Sequence, residues 1–160
     1  MREVISNTSP LQYLYQLDLL DLLPALYGEV LVPTGVVSEI AAGATRGVSL
    51  PHLGDLPWLH VCEVGTPALL SLIPDLGAGE REVLALALEK TGALVILDDS
   101  QARRLAERLE LALTGTLGLL LKAKQIGRID RIRPYIARLE SLNFRLDDRT
   151  RLNILRIAGE

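Results

Sequence analysis

Two kinds of apolar pattern alternate along the chain. Short blocks rich in Val, Ile and Leu fall at Glu3–Ser6, Glu29–Pro33, Leu59–Val64, Ala93–Leu97 and Leu111–Thr114, and their length and flanking turn residues predict β-strands. Between them, apolar residues recur at helical spacing. The first block stops in Ser6-Asn7-Thr8-Ser9 and restarts as Leu11, Leu14, Tyr15 and Leu17, with Pro10 in the opening turn of a helix. A second helical piece covers Leu17–Leu23 and ends around Pro24–Gly28. Thr34 is placed to cap a helix whose face carries Val36, Val37 and Ile40 and which stops at Gly43. Residues 43–57, with Gly43, Gly47, Pro51, Gly54 and Pro57, predict a loop, and Leu69–Ile73 a helical turn. Gly77-Ala78-Gly79 opens a strong helix over Glu80–Lys90 that Gly92 stops, and Ala102, Leu105, Ala106 and Leu109 form the stripe of the next. Further helices are predicted at Leu119–Gln125, Asp130–Leu142 and Asp147–Ala158.

Strands alternating with helices predict a parallel sheet covered on both faces. The expected fold is a three-layer α/β/α sandwich with extra C-terminal helices, formed by residues 1–160 as a single domain. A hydrophobic fraction of 49% with only 4% aromatics suits such an aliphatic core. A single cysteine, Cys62, excludes an internal disulfide and fits a reducing compartment. No apolar run approaches the roughly 18–20 residues of a membrane span, and none resembles a signal peptide, so a cytoplasmic protein without a membrane partner is expected. Charge adds an asymmetry that the net −3 hides. Residues 1–100 hold 4 Lys+Arg against 13 Asp+Glu, and residues 101–160 hold 13 against 7. An acidic half and a basic half suit a site that holds a cation on one side and a polyanion on the other, although basic residues on amphipathic helices also serve simply as a solvated face.

Four positions carry candidate chemistry: Asn7, Glu39, Glu80 and Asp98, with Asp99 beside the last. Asn7 and Asp98 each follow a predicted strand directly, which puts both at the carboxyl edge of the sheet. If those strands are neighbours, the crevice between them is the place where open α/β sheets bind ligands. At ~100° per residue, Glu80 shares a helix face with Val83, Leu84 and Ala87, whereas Glu82 points nearly the opposite way into solvent. Glu39 borders its helix's apolar stripe. Each has a plainer reading. Glu80 can complement a helix dipole, Asp98 or Asp99 can cap the following helix, Asn7 and Thr8 can form a local turn, and Glu39 can be an ordinary surface acid.

Ser6-Asn7-Thr8-Ser9-Pro10-Leu11, Pro33 through Val37 to Glu39-Ile40, Gly77-x-Gly79-Glu80-x-Glu82-Val83-Leu84-x-Leu86-Ala87, Leu97-Asp98-Asp99 with Ala102-Arg103, and Gly115-Thr116-Leu117-Gly118-Leu119-Leu120 occur in that order. In this series the chain resembles the PIN domain, a family of small α/β ribonucleases. Within it, the nearest resemblance is to a prokaryotic PIN-like group related to toxins of toxin–antitoxin pairs. The resemblance implies a site in which three or four acids bind Mg²⁺ or Mn²⁺ and phosphodiester bonds of single-stranded RNA are cleaved. It puts Asn7 at the first acid's position, Glu39 at the second, Glu80 at the third and Asp98 at the fourth, with Asp99 a substitute. Thr8 or Ser9 would support the first position through a hydroxyl.

The implied chemistry is coherent. Hard divalent ions prefer carboxylate and water oxygens, acidify a bound water and stabilise charge developing on a phosphate. Arg103, Arg104, Lys122 and Lys124 are the cations expected to track an RNA backbone. Asn7 departs from the family pattern, because an amide oxygen ligates a hard cation without bringing negative charge. Two functions therefore stand side by side: a metal-dependent ribonuclease, including a toxin silenced by an antitoxin protein, and a non-catalytic module that binds RNA or a protein partner. A phosphotransfer receiver or a haloacid-dehalogenase-like phosphatase fits less well, since those need acids where this chain has Ser6-Asn7-Thr8-Ser9. The stripe of Leu152, Ile154, Leu155, Ile157 and Ala158 is explained by core packing, with a homodimer or antitoxin contact as the alternative.

Overall fold

Five short strands, β1 (Val4–Ser6), β2 (Val30–Pro33), β3 (Leu59–Cys62), β4 (Leu94–Ile96) and β5 (Ala112–Thr114), form one sheet in the order β3-β2-β1-β4-β5. Every pairing is parallel. The computed structural model that establishes this describes residues 2–73 and 75–160. All three residues of β1 and all three of β4 are buried, so both faces of the sheet centre are covered by helices. The result is the expected α/β/α sandwich. Its connecting helices are α1 (Thr8–Gln16), α2 (Leu22–Tyr27), α3 (Thr34–Thr45), α4 (Ala78–Glu89) and α5 (Ser100–Arg108), with 3-10 turns at Leu53–Asp55 and Pro67–Leu72.

The strand order reverses between β1 and β4. The chain leaves β1 toward β2 and β3, then returns to place β4 on the other side of β1, in register Val4↔Leu94, Ile5↔Val95 and Ser6↔Ile96. The strands after which Asn7 and Asp98 stand are therefore neighbours, and their carboxyl ends flank the switch point.

The chain forms two compact units, Met1–Gly115 and Thr116–Glu160. The second contains α6 (Thr116–Gln125), α7 (Arg133–Ser141) and α8 (Asp148–Ile157). Within it, the Glu160 carboxylate accepts hydrogen bonds from Ile132 N–H (2.8 Å), Arg133 N–H (3.2 Å) and the Lys124 ammonium (3.0 Å), tying the end of the chain to the start of α7 and to α6. No helix among the described residues is long and apolar enough to cross a membrane.

Some boundaries differ from the sequence expectation for physical reasons. Asp18 adopts φ 59°, which breaks the path after α1, and α2 starts only at Leu22, with Pro24 in its first turn. Helix α3 runs through Gly43 to Thr45, because the residue that turns the chain is Gly47 at φ 86°. There Val48 N–H bonds to Gly43 C=O (3.0 Å) and Gly47 N–H to Ala44 C=O (3.1 Å), a Schellman closure. Helix α7 begins at Arg133 rather than Asp130, since Pro134 is tolerated only within the first turn.

Candidate functional site

Asn7 continues the strand ladder by one step: its backbone N–H donates to Ile96 C=O (3.1 Å), and Ser6 Oγ–H donates to the Asn7 carbonyl (3.0 Å). The residue then starts α1 as its N-cap, yet its side chain makes no capping bond. It is only 3% exposed, and Oδ1 is buried with no hydrogen-bond partner among the described residues. A buried amide oxygen without a donor costs on the order of 1–3 kcal/mol. A local turn does not account for such an atom.

Glu39 lies next to it. One carboxylate oxygen of Glu39 accepts from Gly79 N–H (2.7 Å) and the other from Thr8 Oγ1–H (2.7 Å), so this acid is clamped between α4 and α1. The hydroxyl expected to support the first position thus supports the second. Gly79 permits the approach. A Cβ there would stand 2.6 Å from Glu39 Oε1 and 2.9 Å from Asn7 Oδ1, so a side chain would fill the space between the two oxygens. Among the described residues, no hydrogen bond or ion pair of the Ser9 side chain contributes to the arrangement.

The clamp is reciprocal. While Glu39 of α3 accepts from the first turn of α4, Glu82 of α4 accepts from the first turn of α3, through Thr34 Oγ1–H (3.0 Å) and Gly35 N–H (3.2 Å). Each helix supplies the carboxylate that satisfies orphan donors of the other. Glu82 is therefore not an idle surface acid: partly buried, it fixes the helix that carries Glu39.

Glu80, in the first turn of α4, is half-buried. Burial raises its pKa, and the negative charges of Glu39 and Asp99 raise it further, against a lowering hydrogen bond from its own backbone N–H. Glu39, Glu80 and Asp99 thus share one electrostatic neighbourhood. Asp99 also caps α5, its Oδ2 accepting from Ala102 N–H (2.8 Å). Asp98 lies toward α1: the Tyr13 pKa is raised by burial and then by the Asp98 charge. The two adjacent aspartates therefore act on different neighbours.

The expected cations separate by role. The Arg103 guanidinium donates to Leu97 C=O (2.8 Å) and braces the corner from which Asp98 and Asp99 project. Arg104 is exposed on α5. Lys122 and Lys124 belong to α6 of the second unit; Lys122 is exposed, whereas Lys124 donates to Ala158 C=O (2.5 Å) and pairs with Glu160. Sequence reasoning missed the role of Glu82. Its partners Gly35 and Thr34 are 47 and 48 positions away and left no local signal.

The donors at this edge suit a hard divalent cation. They are all oxygens, and one of them is a buried amide oxygen that no group among the described residues satisfies, facing a space kept open by Gly79. Among the described residues no three His, Cys, Asp or Glu side chains are grouped closely enough to hold a metal ion by themselves. An ion here would take an amide oxygen beside carboxylates. In comparison with known proteins, the family model described as PIN domain matches residues 3–160. Among curated proteins, none matches the chain.

Proposed function

Since this chain belongs to the PIN domain family, whose members generally use divalent metal ions and share a nuclease-type fold, we propose that it is a Mg²⁺- or Mn²⁺-dependent endoribonuclease that hydrolyses phosphodiester bonds of single-stranded RNA. The observation that carries this reading is the buried, unpartnered Asn7 Oδ1 set beside Glu39 at the sheet's switch point. Asn7, Glu39 and Glu80 would hold the ion, completed by Asp98 or Asp99. An ion held there would supply positive charge beside the phosphate and lower the pKa of a nearby water. The protein's own part is orientation. Thr8 and the Gly79 N–H aim Glu39, Glu82 fixes α3, and Arg103 fixes the corner bearing both aspartates. Arg104 and Lys122 are the exposed cations assigned to the RNA backbone.

The family match runs across both compact units, which supports treating 1–160 as one functional domain. In this reading the protein works in the cytoplasm as a toxin-type component, and exposed Leu152 and Ile157 on α8 are the residues offered to an antitoxin protein or a second copy. The missing charge at Asn7 favours a second reading, a non-catalytic module that binds RNA or protein.

Degradation of a single-stranded RNA by purified protein in Mn²⁺ or Mg²⁺ decides between them. Cleavage that disappears in EDTA, in Asp98→Asn and in Glu80→Gln is the expected result. Cleavage that persists in EDTA, or in both variants, would rule out the metal mechanism. Inactive wild type with activity gained in Asn7→Asp selects the second reading.

A further inference from the structure

A cleft of about 310 Å³ is lined by Asp75, Leu76, Gln101, Arg104, Leu105 and Arg108. Both of its walls lead into the acidic edge. The Asp75-Leu76 wall runs on through Gly77 into α4 and Glu80, and the α5 wall begins where Asp99 caps that helix. From this placement we propose that the cleft is a phosphodiester subsite, in which Arg104 and Arg108 bind successive phosphates of the RNA strand beyond the bond held at the acidic edge. The inference deepens the nuclease reading and rests on it for the identity of the strand.

Gln101, Arg104, Leu105 and Arg108 share one face of α5, at positions i, i+3, i+4 and i+7, while Ala102 and Ala106 are buried on the other. Arg104 and Arg108 are one helical turn apart, ~6 Å along the axis at ~1.5 Å per residue. That spacing is comparable to the repeat of an extended sugar-phosphate backbone. Guanidinium groups bind phosphate oxygens in bidentate fashion and are always charged.

Nearby arginines are otherwise employed. Arg103 is bonded to Leu97 C=O, and Arg81 to Ile73 C=O (2.8 Å) and Leu70 C=O (2.5 Å). Among the described residues, no hydrogen bond or ion pair engages the Arg104 or Arg108 guanidinium. Leu76 and Leu105 give the cleft an apolar patch for a sugar or base face. Asp75 is the one acid among the described lining residues, and it weakens phosphate binding there.

The test is binding of a short oligouridylate to the full chain in EDTA, followed by fluorescence anisotropy across a salt series. For single strands, log K falls with log[salt] by ~0.7 per phosphate neutralised, so Arg104→Gln and Arg108→Gln each reduce the slope by ~0.7 and the double variant by ~1.4. Arg145→Gln, an equal charge change at an exposed position of the second unit, leaves the slope unchanged, and Asp75→Asn tightens binding. An unaltered slope in the double variant overturns the proposal, as does an equal loss in Arg145→Gln or a failure of wild type to bind. Competition by polyglutamate as effective as by RNA overturns it in favour of an acidic protein segment. Cleavage in Mn²⁺ is scored separately. Slopes that fall as expected in a protein that never cleaves leave the subsite standing and remove the nuclease reading, and cleavage with unaltered slopes does the reverse.

Discussion

The exchange of carboxylates between α3 and α4 predicts a substitution whose effect changes sign with its background. In Gly35→Ala the new Cβ would fall 2.1 Å from Glu82 Oε2 and 3.0 Å from Glu82 Cδ, while its next neighbour, Ala78 C, is at an ordinary 3.4 Å. Only the end of a flexible side chain obstructs the methyl group, so Glu82 swings out and releases Thr34 Oγ1–H and Gly35 N–H. Losing a helix-capping acceptor costs about 1 kcal/mol, within a range of roughly 0.5–2. Alanine in place of glycine returns up to ~1 kcal/mol of helix propensity, and less in a first turn. The single substitution is therefore neutral to destabilising by about 1 kcal/mol. Glu82→Ala alone costs about 1–2 kcal/mol, since it leaves the same donors without their charged partner. Once Glu82 is gone, Gly35→Ala has nothing to displace and becomes stabilising by up to ~1 kcal/mol. Urea unfolding of the four proteins in a double-mutant cycle gives the coupling, expected at about 1 kcal/mol or more. In thermal melts each kcal/mol appears as roughly 2–4 °C for a chain of this size. If Gly35→Ala has the same effect in both backgrounds to within ~0.3 kcal/mol, the two sites are independent, and the reciprocal clamp does not hold these helices.

Two further outcomes follow from the ionisable groups. Burial and the neighbouring charges of Glu39 and Asp99 raise the Glu80 pKa, so the folded state binds its proton more tightly than the unfolded state does, and the ionised form costs stability above the folded pKa. Glu80→Gln should raise the melting temperature in EDTA at neutral pH, with the gain fading as pH falls through the carboxylate range; a lower melting temperature at neutral pH refutes the assignment. Glu160 is the opposite case. Burial opposes its charge, but hydrogen bonds from Ile132 N–H, Lys124 and Arg133 N–H lower its pKa from 4.5 to about 2. Its contribution is present above the unfolded value and is lost as pH falls from about 4.5 toward 2, so acid unfolding followed by circular dichroism should be less steep in Glu160→Gln across that window. An unchanged acid limb would remove Glu160 as the residue that binds α7 to the chain end.

By itself the chain determined its strands, the parallel α/β class and the candidate edge, because these depend on local pattern. Apolar runs such as Ala93–Leu97 bury both faces of a strand, and a polar residue directly after a strand lies at its carboxyl end wherever the strand sits in the sheet. Helical periodicity likewise turned Glu80 toward the interior, and the structure has it half-buried among like charges. Helix limits were less legible at Gly43 and Asp130, where Gly47, four residues on, decides an end and Pro134, four residues on, decides a start. What only the tertiary structure decided is which neighbours in sequence share a function. Glu80 and Glu82 are two positions apart, yet one faces Glu39 and Asp99 while the other holds the start of α3. Arg103 braces a backbone carbonyl and Arg104 lines a cleft. Asn7 reads as a polar turn in the sequence, and only the fold shows its amide oxygen buried without a partner beside Glu39. The reason is physical: periodicity fixes the direction in which a side chain leaves its own element, but hydrogen-bond partners 31 to 48 positions away exist only once the sheet order has brought α1, α3 and α4 together.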